Sequence, residues 1–393
     1  MSEPRTESLR GGCEDAHRAR DSKQMTPREE TGRQTRKKKG KMKIVNSVKS
    51  YCLPLLLLCI AALPLSCSGV YDQQGDCEVV YRVKFRYDMN LKWADAFASE
   101  VKSVHLYAFD GSGTLVREYT DKGEQLSRAD YSMRLDLPSG DYRLVAWCGL
   151  DNGVAQESFV AGPTEIGRTT LDELMCRLNR RSGSAQQPES TTRLDFLYHG
   201  AINVTLPENA DGGEYVYTVP LTKDTNHIRV ILQQLSADDV DVNEFTFTIE
   251  DDNGLMASDN SLLPDPTITY RPWGMTTGRA GVGKEDTRTI IYVDGAIADF
   301  TVARLMADHN ERMILTITNQ DGDVVVQVPI IDYALLAMDY YEEAYGRKMS
   351  AQELLDREDE YVLTFFLDQN KKWIDTSILI HSWRVVLQDV DLN

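Results

Sequence analysis

Tyr131 to Trp147 reads YSMRLDLPSGDYRLVAW. Its first half alternates, with Tyr131, Met133, Leu135 and Leu137 on one side and Ser132, Arg134 and Asp136 on the other. Successive side chains of a strand point to opposite faces, so this is the pattern of a strand with one face buried. Pro138-Ser139-Gly140-Asp141 then supplies turn chemistry, and Tyr142 to Trp147 follows as a second apolar strand. The stretch predicts a β-hairpin and sets the expectation of an all-β chain.

The same pattern repeats outward in both directions. Val79, Tyr81, Val83, Phe85 and Tyr87 alternate with Val80, Arg82, Lys84 and Arg86. A strand over 101–109 ends in Asp110-Gly111-Ser112-Gly113, a hairpin turn into 115–119. Further strands are expected over 194–206, 215–221, 227–235, 244–250, 287–293, 312–318, 323–331, 361–368 and 378–390. Asn319-Gln320-Asp321-Gly322 joins two of them as a tight turn. Residues 169–178 read as a short helix capped by Thr169 or Thr170, and 180–192 as an exposed loop. Residues 332–345 are helical, and 350–357 continue that helix after a break at Gly346. Many short strands with few helices argue for β-sandwiches. The length beyond residue 66 suggests two domains, 67–205 and 206–393, divided near Leu206.

Residues 1–66 stand apart from this fold. The first 40 are polar and rich in Arg and Lys. The run Arg36-Lys37-Lys38-Lys39-Gly40-Lys41 can be read as a basic patch, but a start assigned too early, with Met42 the true initiator, accounts for it better. Lys41, Lys43 and Lys49 then precede the apolar run from Tyr51 to Leu63. A bilayer-spanning helix needs about 20 apolar residues; this shorter run, broken by Pro54, suits the core of a signal peptide. Leu63-Pro64-Leu65-Ser66-Cys67 resembles the lipobox of bacterial lipoproteins, with Pro64 where an aliphatic residue is usual. Cleavage before Cys67 would leave that cysteine to be acylated. The plainer alternative is cleavage near Ser66 and free secretion. Acyl chains, at about 0.8 kcal/mol per buried CH₂, together make a stable anchor.

Residues 1–66 hold 14 Lys and Arg against 7 Asp and Glu, so the remainder carries 29 against 54, a net charge of −25. A field of that sign repels phosphate backbones and argues against nucleic-acid binding. Cys77, Cys148 and Cys176 remain after Cys67, in an exported and oxidising setting. Cys77 precedes one strand and Cys148 ends another, which makes them a candidate disulfide; buried free thiols are the alternative, since an odd count leaves connectivity open.

No catalytic constellation stands out, and the chain reads as non-enzymatic, without cofactor or metal. Gly278-Arg279-Ala280-Gly281-Val282-Gly283-Lys284 has the spacing of a phosphate-binding loop, but Glu285 and Asp286 follow and would repel phosphate. It reads as a mobile glycine loop. His105, His199, His227, His309 and His381 are scattered, without zinc spacing, and read mostly as surface or edge residues. Asp238-Asp239, Glu250 to Gly254 and Asn319 to Asp323 are acidic turns without the full twelve-residue calcium loop, and read as solvated turns.

A set of motifs follows Cys67 in order: Val70-Tyr71-Asp72, Gly75-Asp76-Cys77, Phe85 to Asn90, Val101 to Asp110, Leu137 to Tyr142, Ala146 to Leu150, Leu197 to Gly200, and Leu221 to Val230. Together they resemble the fimbrial anchor lipoproteins of Bacteroidales, the minor-fimbrium anchor family, from Cys67 to the end. The resemblance implies two tandem transthyretin-like Greek-key β-sandwich domains and an outer-membrane lipid anchor on the cell surface. It also implies a role at the base of a fimbrium, with fimbrial structural subunits as partners. Such subunits assemble by strand donation, which is β-augmentation. The extended run from Ile378 to Val390, with Ile378, Ile380, Trp383, Val385 and Leu387, is the candidate donor strand; the alternative is simply the last strand of the second domain. An anchor that keeps its N-terminal strand, here from Val79 to Tyr87, would end polymerisation and limit fibre length. A lipid-anchored adhesin or tip-like subunit and a surface glycan-binding protein are the rival readings.

Overall fold

The strand Val79–Arg86 forms as its alternation predicts. Tyr81, Val83 and Phe85 are buried, while Lys84 and Arg86 stay exposed. It lies between the strands Gly213–Pro220 and Met133–Leu135, with Tyr81 opposite Leu135 and Val83 opposite Met133. On its buried side Phe85 and Tyr131 both stack on Phe97, centroids 5.6 and 5.9 Å away. A computed structural model of the chain describes residues 7–9 and 79–393, apart from 155, 183–186, 209–211, 235–239, 284–289, 310, 369, 381–382 and 387–393. Contacts divide it into one unit holding Tyr81–Glu208 and Val216–Asn393, and a second holding Glu7–Val80 and Asn209–Tyr215.

A second sheet runs in the order Thr222–Lys223, Tyr198–Leu206, Gly140–Cys148, Ser103–Asp110, Leu115–Lys122. The hairpin from Ser103–Asp110 to Leu115–Lys122 is present as expected. Asp110 Oδ1 accepts the backbone N–H of Ser112 at 2.9 Å and of Thr114 at 3.0 Å, and Gly113 takes φ +81°. The hairpin expected at Pro138–Asp141 is not. Met133–Leu135 pairs in the first sheet and Gly140–Cys148 in the second, so the turn is an arch between two sheets. Gly140 at φ +151° and a Tyr142 hydroxyl donating to the Pro138 carbonyl at 3.1 Å shape the arch.

The strands Ser103–Asp110 and Gly140–Cys148 are buried on both faces. Leu106, Ala108, Leu144 and Ala146 are buried on one, and Tyr107, Phe109, Val145 and Trp147 on the other. The second set joins a core that continues through Ile228, Val230, Phe247, Phe300 and Phe365. Their near-continuous apolar sequence is the mark of such two-sided burial.

That larger core lies against two six-stranded sheets. One runs Gly274–Gly283, Ile290–Ala303, Thr225–Gln234, Glu360–Leu367, Trp373–Ile380, Trp383–Val386; the other runs Val324–Pro329, Ile314–Asn319, Phe245–Asp251, Ile268–Tyr270, Pro188–Ser190, Arg181–Ser182. Thr225–Gln234 and Glu360–Leu367 pair in parallel. The connection between them contains the helices Ile330–Leu335, Met338–Tyr345 and Ala351–Arg357. The helix expected over 332–345 is two; Gly346 at φ +62° caps the second, at the expected break, and the Ser350 side chain caps the third.

The segment between the halves departs from expectation. Residues 169–178 are not a helix. A Thr170–Glu173 capping box starts a single 3₁₀ turn, and Met175–Leu178 is a strand paired with Leu255–Ala257. The loop expected at 180–192 instead contributes Pro188–Ser190, parallel to Ile268–Tyr270. The glycine-rich segment up to Gly283 is extended strand, paired throughout with Ile290–Ala303; Lys284 lies outside the described residues. Pairing within the first pair of sheets runs on to Lys223.

Candidate functional site

Two features of the fold bear on assembly: its strand ends and a charged seam. Ile378 and Ile380 lie on Trp373–Ile380, opposite Leu363 and Tyr361. Trp383 and Val385 lie on Trp383–Val386, opposite Ile380 and Ile378. The candidate donor segment is therefore folded back as a hairpin in the chain's own sheet, and Trp383–Val386 is the end of that sheet among the described residues. Leu387 lies outside them, as do Cys67 and Cys77. Cys148 is a fully buried thiol, and burial pushes its titration well above the ordinary range. No described helix is long and apolar enough to cross a membrane.

The seam joins the first pair of sheets to the segment after the third helix. Lys223, whose side chain is 5% exposed, contacts Asp359 closely and lies 3.6 Å from Glu100. Its ammonium also sits 3.6 Å above the Phe196 ring. Glu100 accepts from the Tyr198 hydroxyl at 2.8 Å. Next along the chain, Asp224 is completely buried and takes a 2.8 Å hydrogen bond from Asn260 Nδ2. Arg304 lies 3.7 Å from Asp224 and donates to both oxygens of Asp356 at 2.8 and 3.1 Å. Burial raises Asp224 to about 7, because desolvation outweighs the nearby guanidinium. Glu358, buried and accepting from the Tyr341 hydroxyl at 3.0 Å, is raised to about 8 for the same reason. Arg357 completes the seam: it donates to the Asp88 carbonyl at 3.2 Å and stacks 3.5 Å over the Trp93 ring.

Sequence reading did not find this seam. Its members are spread from Trp93 to Asp359, and only adjacent pairs such as Lys223-Asp224 and Glu358-Asp359 hint at it. Histidines expected at the surface also proved otherwise. His199 is buried, its Nε2 2.9 Å from the Ser258 carbonyl and its ring 4.6 Å from that of Trp147. Burial lowers it to about 4.

Residues 74–389 match the family of fimbrillin-A associated anchor proteins Mfa1 and Mfa2. The chain belongs to this family. The minor fimbrium anchoring subunit Mfa2 of Porphyromonas gingivalis is 25% identical over 186 residues, 47% of this chain and 55% of that protein. The match thus spans about half the length of that relative. An adhesin candidate of Bacteroides thetaiotaomicron is 33% identical, with a TM-score of 0.67 over 79% of this chain and 99% of that one. A candidate polysaccharide-binding protein of the same organism is 30% identical, with a TM-score of 0.65 over the same shares. The crystallised P. gingivalis Mfa2 shares the fold, at 16% identity and a TM-score of 0.55 over 79% of this chain and 100% of that one. These likenesses bear out the expectation of a β-sandwich chain from the fimbrial anchor family.

Proposed function

We propose that this fimbrial-anchor-family chain is an outer-membrane lipoprotein, held through acylated Cys67, that fixes a cell-surface fimbrium to the cell and limits its length. The observation that carries the reading is the coincidence of a lipobox-like Leu63–Cys67 with a family match beginning at residue 74, directly after it. Fimbrial subunits are the partners, joined by strand donation. Backbone hydrogen bonds along an extended strand supply affinity, and pockets for alternate side chains supply specificity. The terminator role is supported by Val79–Arg86, which sits between two neighbours in its own sheet and so fills the position a donated strand would take there. The seam suits a tether, since the Lys223–Asp359 pair and the Arg357–Asp88 hydrogen bond tie the first pair of sheets to the segment around the third helix.

Wild type and Cys67→Ala, expressed in the native host, test this. The reading expects the variant to leave the membrane fraction and fimbriae to appear in the medium. Retention of both protein and fimbriae on the cell overturns the lipid anchor. Loss of the protein with fimbriae still attached overturns the anchoring role.

A surface-binding reading has one observation in its favour, an open cleft of about 600 Å³ lined by Glu244, Asn319, Asp321, Lys371 and Trp373. An aromatic ring beside polar groups suits a sugar. Binding to a glycan array that Trp373→Ala abolishes would favour it over the anchor.

A further inference from the structure

We propose that Asp251, Asp252 and His309 form a binding site for a divalent transition-metal cation of the Zn²⁺ type. Asp251 ends the strand Phe245–Asp251, opposite Ile268, and its side chain has no exposure. Asp252 follows it. His309 ends the 3₁₀ turn Ala307–His309, and its side chain is 12% exposed. His309 Nδ1 lies 3.4 Å from Asp251 Oδ1 and 3.3 Å from Asp252 Oδ1.

His309 stands within ion-pair reach of both carboxylates, yet an atom of each residue makes no hydrogen bond. Asp251 Oδ2, Asp252 Oδ1 and His309 Nδ1 are buried atoms without a hydrogen bond. A buried polar atom left without a hydrogen bond is costly, so three such atoms on neighbouring side chains require an explanation. The surrounding groups are already engaged. Asp251 Oδ1 accepts the Asp252 N–H at 2.9 Å. Asn253 donates to the Arg304 carbonyl at 3.0 Å and accepts from the Tyr270 hydroxyl at 2.6 Å. Arg312 holds the outer oxygen of Asp252, Oδ2, at 3.0 Å, which leaves Oδ1 to the His309 side. This is the outer support that orients metal-binding carboxylates.

The spacing and the donor set name the cation. One ligand atom from each residue lies within 4.8 Å of the other two. A tetrahedral ion with bonds of about 2.0–2.1 Å sets its ligand atoms about 3.3 Å apart, and the two nitrogen–oxygen distances are 3.4 and 3.3 Å. Calcium and magnesium take oxygen donors, whereas an imidazole with two carboxylates suits zinc and its first-row neighbours. Three protein ligands leave a fourth position for water. Asp252, 27% exposed, opens the site to solvent. Bound there, the ion would pin the end of one sheet to the turn before Ile314–Asn319 and neutralise two adjacent carboxylates.

The test uses full-length protein purified in detergent, stripped with EDTA and titrated with Zn²⁺ alone. Calorimetry and metal analysis should give about one ion per chain, with a rise in the unfolding temperature. Co²⁺ in its place should give the visible absorption of a tetrahedral site. Asp252→Asn, which keeps the shape of the side chain, and His309→Ala should each weaken binding at least tenfold with unchanged far-UV circular dichroism. A stripped wild type that binds no ion overturns the proposal and leaves the trio as a histidine–aspartate ion pair. Variants that bind as tightly as wild type also overturn it, since the ion then sits elsewhere.

Discussion

The strands Val79–Arg86 and Trp383–Val386 both invite comparison with the donated strands of a fimbrium, yet they hold opposite positions. The first lies inside its sheet with a neighbour on each side; the second closes its sheet among the described residues. An interior strand cannot be given up without unpairing two neighbours and exposing Val83 and Phe85, which are buried. An end strand still has one row of backbone groups to offer. The difference separates two tasks. On the proposed reading, the N-terminal strand keeps its own sheet complete, and the C-terminal end would be where another chain adds.

One substitution made in both places should break the comparison most sharply. Val83→Pro removes a ladder hydrogen bond between two strands and is expected to cost about 3 kcal/mol or more. Urea unfolding should show loss of the first sheets, and an unchanged midpoint would mean that Val79–Arg86 is not structurally required. Next in size is the seam. Arg304→Ala leaves Asp224 and Asp356 buried without their cation, at about 3–5 kcal/mol. The same denaturation experiment measures it, and a loss below about 1 kcal/mol would show that this buried ion-pair group adds little to stability.

A smaller effect should appear with pH. Asp224, at about 7, and Glu358, at about 8, hold their protons more tightly folded than in the unfolded chain, where such groups titrate near 4. Their contribution is full below about pH 4 and is lost as pH rises through 7 to 8. Wild type should therefore lose thermal stability from pH 5 to pH 9, and Glu358→Gln should lose less. Parallel profiles would mean that Glu358 is already ionised at pH 5. The smallest effect on stability belongs to Val385→Pro, expected to cost about 1 kcal/mol as at most one hydrogen bond of a terminal strand. Its effect on attachment should be large, and normal fimbrial retention by this variant would remove Trp383–Val386 as the docking edge.

Legibility in the sequence followed the range of the forces involved. Alternation at Val79–Arg86, the Asp110–Gly113 turn and the break at Gly346 are local, and each formed as read. Pro138–Asp141 misled because turn chemistry reports that the chain bends, not which sheet it enters next. Residues 188–190 look like loop because Pro188, Glu189 and Ser190 lack apolar alternation; they are a strand through pairing with distant Ile268–Tyr270. The seam was invisible for the same reason; the acidic turn Glu250–Gly254 was read as solvated, but Asp251 and Asn253 are buried, and His309 meets it only after the sheets assemble. Cys67, which carries the tethering proposal, is read from sequence alone, from the apolar run and small residues before it, and lies outside the described residues.

The most direct test of the anchor account is mass spectrometry of this protein on fimbriae released by Cys67→Ala cells. The account predicts one copy at the end of each fibre, with the Val79–Arg86 segment intact. Fibre-bound protein that lacks this segment, or that is distributed along the shaft, would contradict it.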